Sequence, residues 1–144
     1  MATPTYELLD STTLASATSS VTFTSIDQSY GDLVLVLEAV GTSLAGLFAR
    51  FNNDTNQNYA RVTMTGNGSS ANSYQAVSND ALVTVIAQIG TGAANLAIYN
   101  IMDYSATDKH KSVLARYNNT DQGVEADAYR WKNTSAITEV DVYP

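Results

Sequence analysis

The stretch Tyr59-Ala60-Arg61-Val62-Thr63-Met64-Thr65 decides the fold, because its apolar and polar side chains alternate. Successive side chains of a β-strand point to opposite faces, so this order predicts a half-buried strand with Ala60, Val62 and Met64 on one face. Val21-Thr22-Phe23-Thr24 alternates in the same way. Residues 33–37 are instead apolar throughout, which predicts a strand covered on both sides.

Further strand-like runs occur at residues 47–51, 81–89, 95–102, 112–117, 124–131 and 137–143. Clusters of residue types that favour turns separate them, at residues 52–54, 66–70, 90–92, 105–108 and 118–121. Strands that recur every ~8–14 residues with turns between them are typical of an all-β sandwich. We therefore expect a single domain over residues 1–144, a jelly-roll-like antiparallel β-sandwich of about eight to ten strands with a short N-terminal arm at about residues 1–9.

The composition excludes several classes of function. The 144 residues carry 7 Lys and Arg against 14 Asp and Glu, a net charge of −7, which argues against a nucleic-acid partner. Cys is absent, which excludes a disulfide framework, a thiolate metal site and a Cys nucleophile. No apolar run approaches the ~20 residues of a membrane helix, and the first residues lack the features of a signal peptide, so we expect no membrane partner.

Two motifs resemble catalytic or nucleotide-binding sites, and each has a simpler interpretation. His110 is the single His, but the Gly-x-Ser-x-Gly elbow that would place a Ser nucleophile is missing, so we interpret His110 as a solvated loop residue. Residues 66–71 match Gly-x-Gly-x-x-Ala, yet no helical pattern follows whose N-terminus would bind a pyrophosphate. We expect a connection between strands there.

The stretch Asp54-Thr55-Asn56-Gln57-Asn58 has the spacing of the first three ligands of a calcium loop. Its sixth position requires Gly and is Tyr59, and its twelfth requires Glu and is Thr65, so an EF-hand is excluded. A shallow calcium site of another kind and a polar Asx-turn loop remain, and the loop is the preferred interpretation. Sequons at Asn53, Asn67, Asn118 and Asn133 are no more frequent than chance predicts and indicate neither glycosylation nor secretion.

Paired carboxylates are the remaining catalytic option, since a glycosidase needs two of them facing one sugar. Glu38 lies in the apolar strand, where it can be partly buried, and Glu7, Glu125 and Glu139 lie in other strand-like stretches. Spacing along the chain does not pair any two of them across a sheet. We therefore expect no enzymatic activity, no bound metal and no cofactor.

The aromatic residues concentrate near predicted strand ends and turns, at Tyr30, Tyr59, Tyr74, Tyr99, Tyr104, Tyr117, Tyr129 and Trp131. Together with 17 Thr, 14 Ser and 12 Asn, they match the composition of adaptable polar surfaces that bind sugars or proteins. Ordinary packing between neighbouring strands is the alternative, and we favour it for most of these positions.

Landmarks follow one another along nearly the whole chain. They are Tyr6-Glu7-Leu8-Leu9-Asp10-Ser11-Thr12-Thr13-Leu14, Tyr30-Gly31-Asp32-Leu33-Val34-Leu35-Val36, Ala49-Arg50-Phe51-Asn52-Asn53-Asp54 with Asn58-Tyr59, Tyr99-Asn100-Ile101-Met102-Asp103-Tyr104, Lys111-Ser112-Val113-Leu114-Ala115-Arg116-Tyr117-Asn118-Asn119 and Trp131-Lys132-Asn133-Thr134-Ser135-Ala136-Ile137-Thr138. In this order they resemble the small β-sandwich virion proteins of tailed bacteriophages, which are frequent in phages of cyanobacteria and other aquatic bacteria.

The resemblance implies a structural role and carries over no catalytic residue. It implies a capsid decoration, or cement, protein that binds the major capsid protein on the exterior of the virion as a homo-oligomer, foremost a trimer. Such a protein is made in the bacterial host cytoplasm, where a Cys-free chain assembles without oxidation. The alternative is the receptor-binding head of a tail fibre, which binds host glycans through Tyr and Asn loops.

The chain departs from this family at its last strand. Members continue with a Gly-rich turn and a strand of the type Ser-x-Tyr-Gly-Ile, whereas this sequence closes on Val142-Tyr143-Pro144. We therefore expect an open sheet edge at the last strand, which a neighbouring subunit or the capsid shell covers.

Candidate interface residues are Pro4, Tyr6, Leu8, Arg130, Trp131 and Tyr143. The first three belong to the arm, which we expect to reach a neighbouring subunit. Trp131, with Arg130 and Lys132 beside it, combines residue types that are enriched in binding hot spots. In a second interpretation, which is preferred, Trp131 is a core anchor beside Ile137.

Overall fold

A computed structural model describes residues 5–84, 88–92, 94–119 and 123–144. Within these ranges the regular elements are ten β-strands, and none of the described residues is helical. In chain order the strands are β1 (Val21–Thr24), β2 (Leu33–Ala39), β3 (Phe48–Phe51), β4 (Tyr59–Gly66), β5 (Ala71–Asn79), β6 (Leu82–Val83), β7 (Asn95–Met102), β8 (Lys111–Asn119), β9 (Gly123–Trp131) and β10 (Glu139–Tyr143).

The strands form two antiparallel sheets that pack face to face. The four-stranded sheet has the order β1-β10-β3-β6, and the six-stranded sheet has the order β2-β7-β8-β9-β4-β5. The predicted all-β, jelly-roll-like antiparallel sandwich is therefore confirmed. Strand β5 is absent from the predicted runs because its side chains are mostly exposed, so it lacks the alternation that marks a half-buried strand.

Aromatic side chains join the two sheets. Tyr59 of β4 and Trp131 of β9 are register partners in the six-stranded sheet, and both are fully buried. Phe51 of the other sheet packs against both, with its ring centroid 6.0 Å from that of Tyr59 and 5.6 Å from that of Trp131. The Phe51 N–H donates a hydrogen bond to Tyr59 Oη at 2.9 Å, so the hydroxyl has a partner inside the core. These contacts hold the Tyr59 and Trp131 side chains on the inner side of their sheet.

The inward direction of Tyr59 decides which other residues of β4 are buried. Because side chains alternate along a strand, Thr63 and Thr65 are buried with Tyr59, whereas Val62 and Met64 are 52% and 62% exposed. Strand β4 is half-buried as predicted, but the face with Val62 and Met64 is the solvent face. Burying an aromatic ring contributes about 4–6 kcal/mol, whereas burying a Val or Met side chain contributes roughly 1.5–3 kcal/mol. The face of β4 that carries Tyr59 is therefore the buried one.

Strand β2 is an edge strand of the six-stranded sheet. Leu33, Leu35 and Leu37 pack against the core, but Val36 on the other side is 58% exposed. The prediction that residues 33–37 are covered on both sides is therefore wrong for the single chain, because the described residues cover one side of β2 only.

The last strand, β10, lies inside the four-stranded sheet. It pairs with β1 on one side and with β3 on the other. The open edge predicted at this strand is therefore wrong, because both of its sides already have a hydrogen-bonded neighbour. The outermost strands of the two sheets are β1, β6, β2 and β5.

Gly123 at the start of β9 carries a testable backbone constraint. It has a φ of 113°, and a Cβ at this position would lie 2.2 Å from the carbonyl oxygen of Gly66. We expect Gly123→Ala to lower the free energy of unfolding by about 1–3 kcal/mol or more, measured by urea denaturation. Gly66→Ala is the matched control, because a Cβ there meets no atom within 4 Å. Equal midpoints for the two variants would contradict the assignment.

Candidate functional site

The most unusual surface of the molecule is the solvent side of the six-stranded sheet, which we name the outer face. Its side chains are those that alternate with the buried ones on β2, β7, β8, β9 and β4. The apolar residues of the outer face are Val34, Val36, Leu96, Ile98, Met102, Leu114, Val124, Ala126, Ala128, Ala60, Val62 and Met64. Its polar residues are Glu38, Asn100, Ser112, Arg116, Asn118 and Arg130, so most of the face is apolar although it faces water.

The strand register arranges these side chains in rows that cross the sheet. One row contains Val36, Ile98, Arg116, Ala126 and Met64. The next row contains Val34, Asn100, Leu114, Ala128 and Val62. The apolar side chains are therefore contiguous from β2 to β4 and do not occur singly among polar ones. Leu114, near the middle, is 50% exposed.

Arg116 is the one charge near the centre of the outer face, and among the described residues its guanidinium is in no ion pair. Glu38 and Arg130 lie towards the margins of the same side. A shallow groove runs beside Arg116 and is lined in part by Met64, Val124 and Ala126. The outer face thus offers an apolar area with a single central cation.

Contiguous apolar surfaces of this extent are uncommon on monomeric soluble proteins and mark sites of association. The outer face combines apolar side chains with one Arg, a residue that is enriched at protein interfaces. Apart from Arg116, its central rows hold only apolar side chains and the Asn100 amide. This chemistry suits the binding of another protein surface and supplies neither an acid–base pair nor a nucleophile.

The inner side of the same sheet carries a buried polar cluster. Tyr129 Oη lies 2.5 Å from Asp127 Oδ2, 2.9 Å from the Val83 carbonyl oxygen and 3.2 Å from Tyr117 Oη. Burial, and to a lesser extent the nearby charge of Glu125, raise the pKa of Asp127 to about 7, against the lowering effect of hydrogen bonding to Asp127. Asp127 is therefore held largely protonated in mildly acidic conditions, as a hydrogen-bonded core residue.

The predicted carboxylates do not form an accessible catalytic pair. Glu125 is next to Asp127 on the inner face of β9, but each residue is only 3% exposed. Glu7 lies in the arm and Glu139 on β10, and Glu38 lies on the solvent side of β2. Asp127 was not predicted, although its spacing of two from Glu125 and of four from Trp131 places all three on one face of a strand.

Asp54 is a structural carboxylate in the loop between β3 and β4. Its Oδ1 accepts hydrogen bonds from the Asn56 N–H and side-chain amide, and its Oδ2 accepts from Asn58 Nδ2 and from Trp131 Nε1 at 2.8 Å. Burial would raise the pKa of Asp54, but these hydrogen bonds outweigh it and lower the pKa to about 2. The stretch forms the polar Asx-turn loop, and its carboxylate binds the core anchor Trp131.

The other two motifs lie in connections between strands. His110 is exposed just before β8. Residues 66–71 form the turn from β4 to β5, in which Asn67 Oδ1 accepts hydrogen bonds from the N–H groups of Ser69 and Ser70. Lys111, which was not singled out, is fully buried, and its ammonium donates to the carbonyl oxygens of Ala106 and Lys109.

The predicted interface residues do not share one surface. Pro4 lies outside the described residues, and Tyr6 and Leu8 are 73% and 79% exposed in the arm. Arg130 is exposed on the solvent side of β9. Tyr143 lies on the solvent side of the four-stranded sheet and stacks on Phe48 with ring centroids 5.2 Å apart. Trp131 is fully buried in the core, which agrees with the anchor interpretation and leaves no surface for a partner.

Most of the predicted aromatic contact residues pack inside the sandwich. The buried ones are Tyr59, Tyr99, Tyr104, Tyr117, Tyr129 and Trp131. Tyr74 is 42% exposed, and Tyr30 is intermediate. The interpretation as packing between strands therefore holds for most positions. The exposed apolar residues of the outer face are aliphatic, and sequence reasoning missed them because alternation alone does not say which face is buried.

The opposite pKa shifts of two carboxylates predict opposite dependences of stability on pH. The pKa of Asp127 is above the ~3.9 of an unfolded chain, so the folded state binds more protons between about pH 4 and 7. The contribution of Asp127 to stability is therefore present below about pH 4 and is lost as the pH rises to about 7. We expect Asp127→Asn to remove this loss, which amounts to about 1.4 kcal/mol per pH unit at most.

Urea denaturation of both proteins at pH values from 4 to 8 measures this difference. Asp54→Asn is the matched control, because the lowered pKa of Asp54 makes its contribution present above about pH 4 and lost as the pH falls towards about 2. A difference between wild type and Asp127→Asn that stays constant from pH 4 to 8 would show that Asp127 is not protonated in the core.

No protein-family model, curated protein or solved structure matches this chain. Among the described residues, no three or more His, Asp and Glu side chains are placed to hold a metal ion. The same part of the chain contains no helix that is long and apolar enough to cross a membrane. The outer face therefore stands as the candidate functional site on its own geometry.

Proposed function

We propose that this chain is a structural protein of a bacteriophage virion, a capsid decoration protein that binds the major capsid protein as a homo-oligomer. The observation that carries the proposal is the apolar outer face, which is contiguous across β2, β7, β8, β9 and β4. Exposing such a surface to water costs free energy, and a protein that binds other subunits through this surface covers it. In this proposal the outer face is the assembly surface of the protein.

The free energy that burial of this face would contribute supports association as its role. Large apolar side chains on it that are more than a third exposed are Val36, Val62, Met64, Leu96, Met102, Leu114 and Val124. Covering the part of each side chain that is still exposed contributes roughly 0.5–2 kcal/mol, so covering several of them together offsets the ordering cost of association. When several copies bind a particle at once, modest contacts add up to a high avidity.

The charge distribution is also consistent with a particle protein. The chain carries a net charge of −7, whereas the outer face has Arg116 at its centre. A contact through this face buries few charges, so it avoids most of the desolvation cost of ion pairs. The acidic remainder of the surface keeps the free protein soluble.

Electron cryomicroscopy of virions from the phage that encodes this chain tests the proposal directly. We expect density for the sandwich on the outside of the head, between major capsid subunits. Density at the tail tip would instead identify the receptor-binding role, and purified host glycans would then bind the isolated protein. Absence of the chain from purified virions would overturn both structural roles.

A pair of Leu variants tests whether the outer face is the assembly surface. Leu114 on the outer face and Leu44 in the loop between β2 and β3 are 50% and 53% exposed, so the same substitution is equally solvated at both. We expect Leu114→Glu to reduce the number of copies bound per particle at least about tenfold, because a charge replaces a buried apolar contact. Leu44→Glu is expected to bind like wild type.

Co-sedimentation with particles that lack the protein measures the bound copies, and thermal unfolding shows whether both variants are folded. Equal binding by folded Leu114→Glu and Leu44→Glu would exclude the outer face as the assembly surface.

A further inference from the structure

We propose that the outer face of one copy is covered by residues 5–14 of a second copy, so that the arm of each subunit lies across the sheet of its neighbour. The inference rests on the proposed assembly role and names the partner of the same surface. The exposed apolar side chains of the arm, its length, and the charges of the arm and the outer face support this contact.

Residues 5–14 have the exposure expected of a segment that contacts another molecule. They form no strand, and all of them are exposed. Tyr6, Leu8 and Leu14 are 73%, 79% and 52% exposed. Because these are even-numbered positions, an extended arm carries all three on one side. A stripe of apolar side chains that its own chain leaves largely exposed is complementary to an apolar sheet face.

The arm is also long enough for this contact. Neighbouring strands lie about 4.8 Å apart, so the five strands of the outer face extend over roughly 19 Å from first to last. Ten extended residues reach about 33 Å. Residues 5–14 can therefore cross the whole outer face, with Tyr6 and Leu8 towards one side and Leu14 towards the other.

Charge favours the arm over a second outer face as the partner. If two outer faces packed together around a two-fold axis, the Arg116 side chains near their centres would approach each other and repel. The arm instead carries two carboxylates, Glu7 and Asp10, and no cation among residues 5–14. Asp10 lies on the same side of an extended arm as Tyr6, Leu8 and Leu14, so an arm that crosses the neighbouring sheet places this carboxylate near Arg116, which lacks an ion pair among the described residues.

Within one chain, residues 7–10 of the arm line a shallow groove together with residues 23–27 and Tyr30, which run from the end of β1 towards β2. Tyr30 Oη donates to Glu7 Oε2 at 2.5 Å, and Tyr30 precedes the edge strand β2. The arm therefore starts next to the open edge of the six-stranded sheet, where a neighbouring subunit is accessible. Since arm and sheet are different surfaces, the contact is heterologous, and repeating it closes a ring when the rotation between subunits permits.

Cysteine cross-linking in the intact chain tests this contact, because the natural sequence has no Cys. A Leu8→Cys protein is mixed with a Leu114→Cys protein and treated with diamide, which oxidises two neighbouring thiols to a disulfide. We expect a mixed Leu8→Cys/Leu114→Cys dimer on a non-reducing gel. A dimer formed mainly between two Leu114→Cys chains would show face-to-face packing and overturn the proposal, as would the absence of any mixed dimer.

Charge reversal supplies an independent measurement by sedimentation equilibrium. We expect Arg116→Glu to weaken self-association at least about tenfold, and Asp10→Lys added to Arg116→Glu to restore it to within about threefold of wild type. Lys109→Glu, which removes an exposed 3.6 Å pair with Asp103, is the control and leaves self-association unchanged.

Failure to restore association would overturn the arm contact. That result is distinct from failure of the proposed function, which is decided by the place of the protein on the virion and does not depend on association in solution.

Discussion

The facing pair Tyr59 and Trp131 fixes the orientation of the whole six-stranded sheet. Both rings point into the sandwich against Phe51, and Asp54 accepts the indole N–H. Since β4, β9 and β8 remain in regular register with one another, side chains at every second position must follow the same direction. A single aromatic contact between sheets thereby decides, for three neighbouring strands, which residues are core and which meet the solvent.

This constraint has a cost on each side of the sheet. On the inside it places Thr63, Glu125 and Asp127 where apolar residues would be expected. Tyr129 donates a hydrogen bond to Asp127 Oδ2 and burial raises the pKa of Asp127, but Thr63 Oγ1 and Asp127 Oδ1 have no hydrogen-bond partner among the described residues. On the outside it places Val62 and Met64 in water. A chain under selection for solubility alone would have little reason to keep this arrangement, whereas a chain that assembles needs an apolar outer face.

The sequence predicts the fold class well, because turn residues and alternation are local signals that the structure follows in nine of its ten strands. It does not predict which face of β4 is buried, since both faces of Tyr59-Ala60-Arg61-Val62-Thr63-Met64-Thr65 carry apolar groups. That choice depends on Phe51, which is only eight residues from Tyr59 in sequence but belongs to the other sheet and packs against Tyr59 when the two sheets meet. The candidate site was missed for the same reason, and the apolar run at residues 33–37 was interpreted as a strand covered on both sides, whereas Val36 is exposed in the single chain.

The separation of the two faces also affects how the sequence of such a protein can evolve. Side chains of the outer face point away from the Tyr59–Trp131 core, so a substitution at Leu114 or Val124 changes no core contact. Inner-face residues, by contrast, are constrained together by packing and by shared hydrogen bonds. Mutations can therefore accumulate on one side of the same strands while the other stays fixed, and the sandwich can acquire a new binding partner without first losing stability.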